Sequence, residues 1–246
     1  MAAIGMGALE WMFEKLFGGS RREAEQKHIQ QIPVYDRFWR ARAREGRIRY
    51  LALGDSLAQG LGLDDPEQGY VAGLERLMQK ALGEPIATHN VSSSGARTNE
   101  VIERQLQHIA DVDPHVVTMS IGGNDVTQEE WRPAEFASRM RVILQALPAG
   151  SIVADVPTLG FGTYEGRARE ANRIVHRLVR EFGMTLAPVY RKTRRHVPFG
   201  IVQRMSPDWF HPNARGHRSW VAAFGPHVVA RVREVARDKV EVSPAH

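Results

Sequence analysis

From residue 49 onward, short apolar runs alternate with longer stretches of helical periodicity, and this alternation limits the chain to few folds. The runs are Arg49–Leu53, Ile86–Val91, Val116–Ile121, Ser151–Val156 and Thr185–Val189. Runs this short and this apolar read as strands covered on both faces, the usual condition of a parallel sheet. Between them, stretches near 70–82, 98–110, 134–147 and 165–182 read as helices, with a last one near 214–237. In the fourth, Ala168, Ala171, Ile174, Val175, Leu178, Val179 and Phe182 recur at steps of three and four, with arginines at the outward positions between them. The pattern predicts an α/β fold of three α/β/α layers around a five-stranded parallel sheet. No internal repeat or Ser/Pro-rich linker divides the region, so residues 49–246 are expected to form one domain.

Residues 1–48 read as an N-terminal helical extension. The segment 1–17 is apolar-rich, but Glu10 and Glu14 interrupt it and no basic residue precedes it, which argues against a secretory signal. It is also shorter than the roughly 20 apolar residues needed to cross a bilayer. As a helix it would offer a broad apolar face to the domain, to an active-site mouth or to a lipid surface. Gly18, Gly19 and Ser20 then break the pattern. A strongly charged helical stretch follows from about Arg21 to Gly46, with a turn expected near Pro33.

Of the 246 residues none is cysteine, which excludes disulfides, thiolate metal sites and a cysteine nucleophile. That fits a cytoplasmic chain, peripheral to a membrane at most. The net charge of +5 gathers in two arginine-rich clusters, Arg37–Arg49 and Arg191–Arg195. Spread over this length it is a weak field by the standard of nucleic-acid binders, so the clusters read as solvated faces and no nucleic-acid partner is expected.

In an open parallel sheet, functional residues gather beyond the carboxyl ends of the strands. Three polar segments lie there: Gly54-Asp55-Ser56 after the first strand, Ser92 to Thr98 after the second, and Gly122-Gly123-Asn124-Asp125 after the third. Ser56 alone would be an ordinary turn residue or helix cap, and becomes a nucleophile only if a base reaches it. The candidate base is His211, in Asp208-Trp209-Phe210-His211-Pro212-Asn213. Asp208 and His211 are spaced to meet across one helical turn, which would orient the imidazole with its second nitrogen free. Gly95 offers an unhindered backbone N–H and Asn124 a side-chain amide, both suited to a developing oxyanion; each is also a common turn residue.

In order and placement these segments resemble the sequence blocks of the SGNH (GDSL-type) hydrolase family. The blocks are Gly54-Asp55-Ser56-Leu57, Ser94-Gly95, Gly123-Asn124-Asp125, and Asp208-x-x-His211-Pro212-Asn213-x-x-Gly216-His217. The resemblance covers about residues 49 to 230 and implies a flavodoxin-like sheet and a serine esterase or lipase. It implies Ser56 as nucleophile, His211 as general base and Asp208 as its orienter. The oxyanion would be held by the Ser56 and Gly95 backbone N–H groups and the Asn124 amide. Asp55 and Asp125 are expected to hold the loops, and neither metal nor organic cofactor is implied.

Trp209, Phe210, Phe161 and Tyr164, with Trp131, are candidates for the wall of an acyl or aryl pocket, or equally for core packing. The expected substrate is a small-molecule carboxylic ester with a short to medium acyl chain. Lysophospholipid, thioester and sugar-acetate hydrolysis stay open, as does a non-catalytic lipid- or carbohydrate-binding module on the same scaffold. Peripheral lipid contact through residues 1–17 remains an expectation, and nothing in the sequence gives an oligomeric state. A metal hydrolase is disfavoured, because His211 and His217 lack a third ligand at suitable spacing.

Overall fold

A computed structural model describes residues 26, 29–44, 46–208 and 210–241. The apolar segment 1–17 and Trp209 lie outside the described residues. Helix α1 spans 29–42 and leads into strand β1, Ile48–Gly54. There follow α2 (Ser56–Gln59), α3 (Tyr70–Leu82), β2 (Ile86–Asn90), α4 (Thr98–Glu100), α5 (His108–Val112) and β3 (Val116–Ser120). The second half contains α6 (Gly123–Val126), α7 (Pro133–Ala146), β4 (Ile152–Ala154), α8 (Gly162–Glu181), β5 (Thr185–Ala187), α9 (Val189–Arg194) and α10 (Ala214–Glu241). Among the described residues, no helix is long and apolar enough to cross a membrane.

The five strands are parallel, in the order β2-β1-β3-β4-β5, so the chain reverses its direction of travel across the sheet between β1 and β3. Such a reversal opens a crevice beyond the strand ends, where ligands bind in this architecture. Side chains of β1 alternate between the faces as a strand's period of two requires. Ile48, Tyr50 and Ala52 join one core with residues of α1, α3 and α10, while Leu51 and Leu53 join the other with α7 and α8. Burying both faces is what makes these strands near-continuously apolar.

Two expectations from sequence are corrected here. No turn occurs at Pro33: residues 29–42 are helical throughout, with Pro33 exposed. The opposite face explains this, since it buries Tyr35 and Trp39 in the core, and that burial outweighs the helix-breaking tendency of one proline. Tyr35 also donates through its hydroxyl to the Leu63 carbonyl, and Trp39 through its indole N–H to the Gln59 carbonyl. The helix expected over 98–110 is instead α4, a π-helical turn at Val101–Gln105, and α5. The wider turn accompanies a demand on Gln105, whose side chain reaches the end of β1, as described next.

Three of the six arginines in the first basic cluster pair with acids from other elements. Arg42 pairs with Glu67 and Glu75, Arg47 with Glu84 and Arg49 with Asp113.

Candidate active site

β1 ends at Gly54, whose φ of 153° belongs to the region that favours glycine; a Cβ there would lie 2.5 Å from the Ser120 carbonyl oxygen of β3. The side-chain amide of Gln105 grips the same residue at both backbone groups. Gly54 N–H donates to Gln105 Oε1 at 2.9 Å, and Gln105 Nε2 donates to the Gly54 carbonyl at 2.8 Å. Asp55 then caps α2 by accepting the Leu57 N–H at 3.0 Å. Ser56 follows as the first residue of α2, buried at 4% exposure and lining a cleft of about 680 Å³.

His211 enters the cleft from the other end of the chain. Its Nε2 lies 2.9 Å from Ser56 Oγ, and its Nδ1 lies 2.5 Å from Asp208 Oδ2. Asp208 is 1% exposed, and its Oδ1 accepts from Ser206 Oγ at 2.5 Å and from the Phe210 and His211 N–H groups at 2.9 Å each. The carboxylate is thus held by three donors besides the imidazole. Asp208 and His211 meet in a turn, not across the expected helical turn. The Asp208 side chain takes the two backbone N–H groups that a helix would need, a usual effect of aspartate in turns. The helix begins only beyond Asn213, whose Oδ1 accepts from the Arg215 and Gly216 N–H groups.

This turn is stitched to the segment before it. Met205 and Pro212 form an antiparallel bridge, Ser206 N–H donates to the His211 carbonyl at 2.7 Å, and Asn213 N–H donates to the Arg204 carbonyl at 2.8 Å. Gly62 abuts the same turn: its φ is 93°, and a Cβ there would stand 2.5 Å from His211 Cβ. At Gly216 a Cβ would stand 2.5 Å from Pro212 Cβ, which accounts for the glycine in that block.

Asn124 lines the cleft and donates through Nδ2 to the Ala96 carbonyl at 2.9 Å, and its second amide hydrogen has no partner among the described residues. Gly95, one residue before Ala96, adopts φ 74° in a loop joined to Gly54 by the Ser93 N–H. Gly95 stands outside the cleft wall; a Cβ there would meet nothing within 4 Å, so backbone conformation and not space calls for glycine. Asp125 accepts from Thr98 Oγ1 at 2.6 Å and from the Thr98 N–H, tying the third block to the second. Burial pushes the Asp55 carboxyl up to about 7, with the nearby Asp125 adding to the rise. Burial also holds the His217 imidazole down at about 3, with His211 adding to the effect. His217 is therefore a neutral packing group, its Nδ1 accepting from the Tyr70 N–H.

The aromatic candidates divide. Tyr164 and Phe210 line the cleft, with the Phe210 ring edge-on to the His211 ring. Phe161 does not: it is 64% exposed, beneath the Arg194 guanidinium. Trp131 stands in a separate pocket and donates to Glu170. Aromatic type and loop placement do not fix side-chain direction, whereas the aliphatic wall of Leu57, Leu159, Ile201, Val202 and Met205 was not singled out from sequence.

A sequence profile of the GDSL-like lipase/acylhydrolase family matches residues 52–219, more than half of the chain. The chain belongs to that family. Its sequence is 31% identical over 86 residues to the spore germination lipase LipC of Bacillus licheniformis, a match spanning 33% of this chain and 40% of that relative's length. Its fold is similar to that of a lipase/acylhydrolase from Enterococcus faecalis, with a TM-score of 0.64 at 19% identity over 75% of this chain and 97% of that one. It is likewise similar to Axe2, an acetylxylan esterase from Geobacillus stearothermophilus, with a TM-score of 0.61 at 19% identity over 75% and 95% of the two chains. At such identities the GDSL-type fold is what is shared.

Proposed function

We propose that this GDSL-type hydrolase cleaves carboxylic esters of short to medium acyl chains through a Ser56–His211–Asp208 triad and an acyl-enzyme. The single observation that carries the reading is the 2.9 Å approach of His211 Nε2 to Ser56 Oγ, with Asp208 behind the ring. His211 takes the Ser56 proton as Oγ attacks the acyl carbon, and Asp208 stabilises the imidazolium that forms. The carbonyl oxygen becomes an oxyanion facing the Asn124 amide and the backbone N–H of Ser56, both of which line the cleft, whereas Gly95, set outside its wall, is left out of the hole. His211 then protonates the departing alkoxide, and in the second half-reaction it activates the water that releases the acid. The aliphatic wall of the cleft supports an apolar acyl group, and its volume lies within the range of small-molecule sites.

The test is a series of p-nitrophenyl esters of increasing chain length, run on wild type and Ser56→Ala. Loss of turnover by about 10⁴-fold or more in the variant, with an unchanged melting temperature, is expected. Near-full rate in Ser56→Ala refutes the assignment, and a fluorophosphonate that fails to attach at Ser56 does the same.

A further inference from the structure

The triad uses one part of the cleft; another part carries charge that ester cleavage does not need. Arg204 lines the cleft, and its Nε is buried with no hydrogen-bond partner. Among the described residues, the guanidinium makes one hydrogen bond, a long one from Nη1 to the Gly200 carbonyl at 3.4 Å. A buried guanidinium N–H without an acceptor costs free energy unless something fills the gap. The residue is not loosely placed, because its backbone is clamped by Asn213 from the turn that carries His211.

Other arginines gather around Arg204. Burial lowers its pKa, and so do the guanidinium groups of Arg215, Arg195 and Arg218. Among the described residues, none of these four arginines forms an ion pair; Arg194 and Arg231, by contrast, do. His196 lines the cleft beside them and accepts from Arg195 Nε at 3.1 Å through its Nε2. That acceptor role places the proton of the neutral imidazole on Nδ1, making one more donor. The Arg191–Arg195 cluster is therefore not a uniformly solvated face: Arg194 pairs with Glu165, while Arg195 joins this uncompensated group.

We propose that Arg204, with Arg195, Arg215 and His196 around it, forms a subsite of the catalytic cleft that holds a phosphate group carried by the ester substrate. The inference rests on the ester-hydrolase reading above and names the class of ester. Several arginines, none of them in an ion pair among the described residues, suit a multiply charged oxyanion better than a single carboxylate. Guanidinium N–H groups fit phosphate oxygens in a planar, charge-assisted geometry. The apolar wall takes the acyl chain, Ser56 faces the ester carbonyl, and the phosphate sits at Arg204.

A matched pair of substrates tests this: 1-octanoylglycerol 3-phosphate against 1-octanoylglycerol. Wild type is expected to favour the phosphorylated ester in kcat/KM. Arg204→Gln is expected to lower the ratio of the two values by about 10-fold to 100-fold, with Arg204→Lys falling between. Exposed Arg215→Gln should lower it less, and 0.5 M salt should erode the preference. A wild-type ratio of one, or a preference that survives in Arg204→Gln, overturns the proposal. Binding of the same two compounds to Ser56→Ala, measured by calorimetry, separates the subsite from the chemistry. Binding of the phosphorylated ester at least 10-fold tighter, lost in Ser56→Ala/Arg204→Gln, supports the subsite even if neither ester is turned over; equal binding overturns it. Inorganic phosphate supplies the last arm. If it binds and alters hydrolysis of the neutral ester while the two esters are handled alike, the anion is a free ligand and the substrate assignment falls.

Discussion

Replacing Gln105 by Met keeps side-chain length and volume nearly constant but removes both hydrogen bonds to Gly54. The Gly54 carbonyl still accepts the Ser93 N–H at 3.2 Å, so the loss falls mainly on the Gly54 N–H, which is left buried without an acceptor. Losing the bonds costs about 1 kcal/mol, and the orphaned donor a further 1–3 kcal/mol, giving about 2–4 kcal/mol in all. For a domain of this size, that corresponds to a fall in melting temperature of about 5–15 °C. The change also frees the backbone two residues before Ser56, and misplacement by about 1 Å is enough to cost roughly 100-fold in rate. We therefore expect Gln105→Met to lower kcat on p-nitrophenyl butyrate by about 10-fold to 100-fold with KM little changed. A residue that served stability alone would lower the melting temperature and leave kcat intact at temperatures where the variant is folded. A melting temperature within about 1 °C of wild type, or an unaltered kcat, refutes the clamp.

Three further expectations concern the same site. Gly62→Ala, forced into a φ of 93° with its Cβ 2.5 Å from His211 Cβ, should lower kcat at least about 10-fold by displacing the imidazole, and full activity in an ester assay would show that the turn yields freely. Asn124→Ala should lose about 10²–10³ in kcat through one missing oxyanion donor, with an unchanged rate meaning that the amide serves only Ala96. Because Asp55 is raised to about 7 from an ordinary 3.8, its contribution to stability is fully present below pH 3.8 and is lost as pH rises through 7. Asp55→Asn should therefore gain on wild type by about 4 kcal/mol between pH 4 and pH 7 in urea denaturation, and parallel curves would contradict the shift.

Features set by local periodicity or by short spacing were legible before any coordinates. Helix α3 occupies residues 70–82 as read, because its apolar face repeats without interruption. Ser56, Asn124 and His211 converge because two of them follow adjacent strands and the third closes over the crevice. What was not legible depends on contacts between segments far apart in sequence. Nothing near Gln105 announces that its amide will grip Gly54, since that reach depends on the π-helical turn. Gly62 looks like one more loop glycine until the His211 turn is seen against it. Phe161 and Leu159 sit two residues apart, yet only the leucine faces the cleft, a choice made by backbone direction and not by hydrophobicity. Pro33 does not turn the chain, because the burial of Tyr35 and Trp39 on the same helix outweighs the intrinsic preference of one residue.

The bonds from Tyr35 to Leu63 and from Trp39 to Gln59 bracket the loop that leans on the imidazole through Gly62. The leading helix thereby acts as a strut behind the base, fastened on either side of its point of support. Shortening the polypeptide to begin at β1 would leave every proposed catalytic side chain in place and still remove the brace that keeps His211 pressed toward Ser56.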